Sequence, residues 1–169
     1  MITLITGGVK SGKSSRALAL VQQAWTFPVS FIATAEVLDE EMRLRIARHQ
    51  EERVRLGGAA GFVTIEEPVD LDKAIARSGD QVVVDCIPMW INNLMYYQRE
   101  AEFPRILDAF IKSMPRNCIV VTNETGLGAI PFEEITRRYN VLLAEANRAI
   151  AAAADTVEFM IAGIPLKVK

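Results

Sequence analysis

The octapeptide Gly7-Gly8-Val9-Lys10-Ser11-Gly12-Lys13-Ser14 constrains this chain more than any other stretch. It fits G-x-x-x-x-G-K-[ST], follows an apolar run at residues 2–6 and opens a helix-forming run at Lys13. That context, strand then glycine turn then helix, weighs against a bare turn and for a phosphate-binding loop. Its glycines let backbone N–H groups face the phosphates, and the helix N-terminus adds a positive end. Lys13 would neutralise the β and γ oxygens, and the Ser14 hydroxyl would ligate Mg2+. Such a loop needs an acid at the tip of another strand, and Asp85, closing Gln81-Val82-Val83-Val84, is the candidate. The alternative for Asp85 is an ordinary strand-end turn residue. Thr122-Asn123-Glu124 ends a further apolar strand, where ligands gather in open α/β sheets, although a turn role is equally compatible with it.

The rest of the chain alternates short β-rich runs with helical patterns, which predicts parallel βαβ units and a mostly parallel sheet flanked by helices. Strands are predicted at 2–6, 29–34, 62–65, 81–87 and 118–122. Helices are predicted from Lys13 and over 38–56, 71–77, 90–98, 103–114 and 132–154. Residues 156–169 are β-rich but carry Gly163-Ile164-Pro165, the signature of a final hairpin or bent edge strand. Loops are expected at 57–61 and 126–131. No repeat or linker divides residues 1–169, so one domain is expected; half the residues are hydrophobic, enough for a sizeable core.

Charge excludes one class of partner. Nineteen Lys+Arg against 21 Asp+Glu leave a formal charge of -2 with no long single-sign block, so the footprint of a general nucleic-acid binder is missing. Cys86 and Cys118 lie far apart in apolar runs and read as reduced, buried small hydrophobes. The N-terminus has no basic region of the signal-peptide kind, and the longest apolar stretch, 149–166, is broken by Asp155 and Glu158, so a cytoplasmic protein without a transmembrane segment is expected. A mean hydropathy of +0.17 in an 18.7 kDa chain points to apolar surface buried between subunits of a homo-oligomer.

The single histidine, His49, falls within the helical pattern of 38–56. Counting by 3.6, Met42, Ile46, His49 and Arg53 share one face, with Arg45 and Arg53 four residues to either side of the imidazole. Two guanidinium charges disfavour a third and can hold a triphosphate, and a neutral imidazole is a competent nucleophile toward phosphorus. On spacing alone the face could equally be solvated, with Glu41–Arg45 and Glu51–Arg55 pairs.

Several segments together resemble the adenosylcobinamide kinase and adenosylcobinamide-phosphate guanylyltransferase family along nearly the whole chain. They are Thr6 to Ser14, Ile32-Ala33-Thr34-Ala35, Asp39-Glu40-Glu41-Met42, and Arg45-Ile46-Ala47-Arg48-His49-Gln50-Glu51-Glu52-Arg53. Asp85-Cys86-Ile87, Asn92-Asn93-Leu94, Val121-Thr122-Asn123-Glu124-Thr125-Gly126-Leu127-Gly128 and the run from Asn147-Arg148 to Ala154-Asp155 complete the match. The resemblance implies a P-loop NTPase domain of RecA-like fold, usually trimeric, with two activities. One phosphorylates adenosylcobinamide with ATP or GTP; the other passes GMP from GTP to the resulting phosphate through a histidine-bound GMP. It implies that His49 is that histidine, that Thr34, Ala35 and Glu36 and Gln50, Glu51, Glu52 and Arg53 contact the guanine nucleotide, and that Glu66 and Asp85 are acids of the same site. The rival readings are a P-loop kinase without nucleotidyl transfer and an NTP-gated regulatory module.

The chain departs from that family's pattern in two places. Where R-P-x-x-W is usual after the histidine helix, this sequence is longer and glycine-rich from Arg53 to Phe62, with Phe62 at the Trp position. The alignment therefore leaves Glu66 and Glu67 as alternatives for one acid. Asp85 stands where Glu is often expected, which shortens the reach by one methylene and keeps the charge.

Overall fold

The computed structural model describes residues 1–37, 39–58, 61–128 and 130–169, and the side chains of all of these except Arg45. Seven strands form one sheet in the order β3-β2-β4-β5-β1-β6-β7. They are β1 (Ile2–Gly7), β2 (Val29–Ala33), β3 (Phe62–Glu66), β4 (Gln81–Asp85), β5 (Asn117–Val121), β6 (Thr156–Ile161) and β7 (Ile164–Lys167). All pairings are parallel except β6 with β7, a terminal hairpin, the first of the two forms expected for residues 156–169. The helices are α1 (Lys13–Ala24), α2 (Glu40–Gly57), α3 (Leu71–Ala76), α4 (Ile87–Tyr96), α5 (Phe103–Ser113) and α6 (Glu134–Ala153). No described helix is long and apolar enough to cross a membrane.

Parallel strands covered on both faces explain the continuous apolar runs. In β4, Val82 and Val84 enter one core with Leu4, Trp90 and Phe110, whereas Val83 points to the other with Ile5, Val21 and Phe31. Trp90 anchors the larger core: fully buried, it lies 5.7 Å from the Phe110 ring and donates from Nε1 to Val69 O at 2.7 Å. Burying the indole N–H is tolerable only because that carbonyl receives it.

Several boundaries differ from the predictions. The strand predicted over 81–87 stops at Asp85, and α4 begins at Ile87 rather than at 90, because Pro88 occupies the first turn, where its fixed φ suits a helix and its missing N–H is not needed. The Asp85–Cys86 peptide between them is cis. Helix α2 starts at Glu40, after Asp39 accepts from Met42 N at 2.7 Å as its N-cap. Its predicted first residue, Leu38, lies outside the described residues, as do Ala59, Ala60 and Ala129 in the two predicted loops. Gly57 ends the helix instead of opening the loop, and Gly58 follows at φ 71°. Helix α6 begins at Glu134, and a short 3-10 turn, Glu100–Glu102, precedes α5 unpredicted.

One ion pair fastens the phosphate-loop helix to β6, the strand beside β1. Arg16 of α1 donates to both Glu158 carboxylate oxygens, at 2.8 and 2.7 Å, and both groups are largely shielded from water. Each partner is oriented by two bonds, which makes the loss of one costly to the other. Glu158→Ala should therefore lower unfolding free energy by about 1–3 kcal/mol, read as a shifted urea midpoint with an unchanged slope. Adding Arg16→Ala to that variant should cost little more, because the pair acts as a unit.

Candidate active site

The phosphate loop has the shape its sequence demands. Gly7 takes φ 149°, and a Cβ there would stand 2.6 Å from Met160 O and 2.8 Å from Ser11 Oγ, so only glycine fits. Gly12 caps α1 at φ 92°. The Lys13 ammonium folds into the loop and donates to Gly8 O at 2.5 Å. Ser11 Oγ is buried with no hydrogen-bond partner among the described residues, a polar atom that an incoming phosphate oxygen can satisfy.

Strand register brings the second half of the site to this loop. Parallel pairing sets Glu66 opposite Ala33, Ala33 opposite Asp85 and Asp85 opposite Val121, so the tips of β3, β2, β4 and β5 finish level. From the tip of β4, Asp85 Oδ2 accepts from Ser14 Oγ at 3.1 Å. A hydroxyl and a carboxylate are hard oxygen donors, which is the chemistry Mg2+ selects beside phosphate. The two residues singled out for a metal thus do meet and fit it.

Helix α2 roofs the resulting pocket. Its face of Met42, Ile46, His49 and Arg53, with Gln50, lines one wall; Ser14, Asp85, Glu66, Thr64 and Ala35 line the other. Arg53 is 6% exposed and stacks 4.0 Å over the Phe31 ring. Burial pulls its pKa below the ordinary arginine value, opposed by the charges of Asp85 and Glu52. A guanidinium remains cationic through such a shift, so the pocket holds a poorly hydrated positive charge one helical turn from the imidazole.

Not every residue named from the sequence reaches that space. Thr34 is fully buried beneath it, with its hydroxyl bonded to Cys86. Glu36 accepts from the Tyr97 hydroxyl at 2.9 Å, Glu52 from Ser15 Oγ at 3.5 Å, and Glu51 lines a separate shallow surface with Val54 and Arg55. Glu66 and Glu67 are told apart: Glu66 lines the pocket, whereas Glu67 accepts from Val69 N, Asp70 N and Arg77 and braces the turn into α3. Cys86 corrects its sequence reading. It is half-buried and lines the pocket, while Cys118 is fully buried and its thiol pushed up to about 12 by desolvation. Phe31, Thr64 and Met89 also line the pocket and were not identified from sequence: Phe31 lies in a strand buried on both faces, where alternation does not reveal which face meets a ligand, and Thr64 and Met89 belong to no motif that would mark them.

Comparison with known proteins bears on both fold and family. A family model described as "Cobinamide kinase / cobinamide phosphate guanyltransferase" matches residues 3–168. Among curated proteins, "Bifunctional adenosylcobalamin biosynthesis protein CobP" of Pseudomonas aeruginosa is 36% identical over 175 residues, spanning 100% of this chain and 98% of that protein. "Bifunctional adenosylcobalamin biosynthesis protein CobU" of Salmonella typhimurium is 32% identical over 188 residues, covering 100% of each. Among solved structures, the flagellar accessory protein FlaH of Methanocaldococcus jannaschii matches with TM-score 0.53 at 14% identity, over 99% of this chain and 77% of that one. A KaiC-like protein of Pyrococcus horikoshii matches with TM-score 0.51 at 16% identity, over 94% and 71%. At that identity the structures speak to the fold alone.

The loop geometry generates a direct test. Lys13→Ala removes a charge-assisted contact worth roughly 1.5–3 kcal/mol, so the Kd for GTP should rise about 10- to 100-fold. Calorimetric titration measures this; an unchanged Kd would remove the loop from the phosphate site.

Proposed function

This chain belongs to the cobinamide kinase / cobinamide phosphate guanyltransferase family, and we propose that it runs both reactions of cobalamin biosynthesis in one pocket, with His49 as the GMP carrier. It phosphorylates adenosylcobinamide with ATP or GTP. It then transfers GMP from GTP to adenosylcobinamide phosphate, giving adenosylcobinamide-GDP and pyrophosphate. The observation that carries this reading is the convergence of His49, Arg53, Ser14 and Asp85 on a single pocket beside the phosphate loop. A kinase alone has no need of an imidazole there.

In the transferase reaction the unprotonated ring nitrogen of His49 attacks the α-phosphorus of GTP. The N–P bond forms as the bond to the β-phosphate oxygen breaks, and pyrophosphate leaves with charge growing on its oxygens. Lys13 and the loop N–H groups stand where that charge develops, and the desolvated Arg53 guanidinium supports the α-phosphate. A phosphate oxygen of the acceptor then attacks the same phosphorus and releases the imidazole. In the kinase reaction the acceptor hydroxyl attacks the γ-phosphorus in line while the loop retains the departing diphosphate. Mg2+, held by Ser14 and Asp85, would supply electrophilic assistance to the phosphates in both reactions. A homotrimer in the cytoplasm is part of the same proposal.

His49→Asn provides the decisive measurement. With GTP labelled at the α-phosphate, the wild-type protein should retain label in an acid-labile, base-stable bond, as expected of a phosphoramidate, and the variant should retain none. The variant should lose GMP transfer yet keep measurable kinase turnover, because γ-phosphoryl transfer needs the loop, Mg2+ and an oriented hydroxyl but no imidazole adduct. Labelled variant protein would place the nucleophile elsewhere, and there is no second histidine to take the role.

A further inference from the structure

Beneath the pocket floor lies a polar cluster that no step above uses. Asn93 of α4 is 1% exposed, and its Nδ2 donates to Thr34 O at 2.7 Å and to Pro68 O at 3.0 Å. Thr34, just past β2, is also sealed from water. Its hydroxyl donates to Cys86 O at 2.7 Å and accepts from Cys86 N at 2.9 Å, and its own N–H donates to Asp85 O at 3.2 Å. One amide and one hydroxyl therefore tie together the end of β2, the turn after β3 and the end of β4.

Those are the segments that present Ala35, Glu66, Asp85 and Cys86 to the pocket. The Thr34 hydroxyl is not available to a nucleotide, because it is buried and engaged in both directions with one backbone unit. What it controls is the placement of the peptide that follows Asp85. Just before that peptide, Asp85 makes its 3.1 Å contact with Ser14 Oγ, the other residue that fits Mg2+. A carboxylate one methylene shorter than glutamate has little reach to spare, so its backbone must be fixed.

We propose that Thr34 and Asn93 are positioning residues for metal-assisted nucleotide binding: they hold the Asp85–Cys86 turn so that Asp85 and Ser14 present one oxygen pair to a nucleotide-bound Mg2+. This rests on the kinase and guanylyltransferase reading, in which Asp85 and Ser14 serve the metal. It predicts a defect confined to the metal-dependent part of binding. A generally loosened fold would instead weaken binding with and without metal alike.

The experiment is calorimetric titration with the α,β-methylene analogue of GTP, which cannot lose pyrophosphate, in Mg2+ and in EDTA. The readout is the ratio of the two affinities. Thr34→Val keeps the side-chain shape but removes the hydroxyl, and should cut the Mg2+ enhancement about tenfold while leaving the metal-free Kd within about twofold of wild type. Thr34→Ser, which retains the hydroxyl, should restore the enhancement to within about twofold. If Thr34→Val does not fold, as judged by loss of a cooperative thermal transition, Thr34→Ala serves in its place and should lose at least about threefold. Full enhancement in the variant that lacks the hydroxyl overturns the proposal, and so does a Thr34→Ser protein as impaired as Thr34→Val. Because binding is read rather than product, this failure is distinct from failure of the functional reading, which would show as wild-type protein that takes no label on His49.

Discussion

Parallel hydrogen-bond register is the constraint on which the site depends. Six parallel strands share this sheet, and their pairing levels Glu66, Ala33, Asp85 and Val121 along one edge. Val121 is also paired with Ile5, two residues before the phosphate loop begins. The chemistry needs a polyphosphate cradle, an acid and a cation within a few ångströms, and the register delivers all three without long-range loops. Helix α2, which carries the histidine, then needs only to lie across the strand tips.

The pocket is built from cations deprived of water. Lys13 is folded into backbone, and Arg53 is stacked on a ring with its charge barely exposed. Such groups have already lost most of their hydration before a nucleotide arrives, so a triphosphate meets charge that needs little reorganisation. Carboxylates that offset the cost of burying Arg53 are kept near, Asp85 and Glu52 among them. Phe31 contributes without any polar atom: its ring is the surface on which the arginine is held.

Much of this was legible in the sequence. The strand, glycine turn and helix around Lys13, the alternation of elements, the terminal hairpin and the shared face of Met42, Ile46, His49 and Arg53 all follow from local chemistry and helical period. The start of α4 was misplaced because the apolar run at 81–87 masks a change from strand to helix that only Pro88 marks. Phe31 and Cys86 were out of reach for a different reason. Both sit in runs buried on two sides, where no alternation distinguishes the face toward solvent, the face toward core and the face toward ligand. For Thr34 the resemblance identified the position, and the structure adds that its buried hydroxyl serves the neighbouring strand end. Asn93, nearly two turns along an apolar helix, was marked only by the resemblance, and its chemistry became readable when the carbonyls it serves could be seen around it.

The register of β3 carries one more consequence. Phe62 pairs with Val29 and Glu66 with Ala33, and Val29 N donates to Gly61 O at 2.9 Å, so the incoming strand is clamped from its first residue. The position of the acid is therefore set by its pairing partner in β2 and not by its distance in sequence from the histidine. Because side chains alternate along a strand, a slip of a single residue in that pairing would turn Glu66 to the opposite face, so the sheet's ladder is what holds the carboxylate toward the pocket.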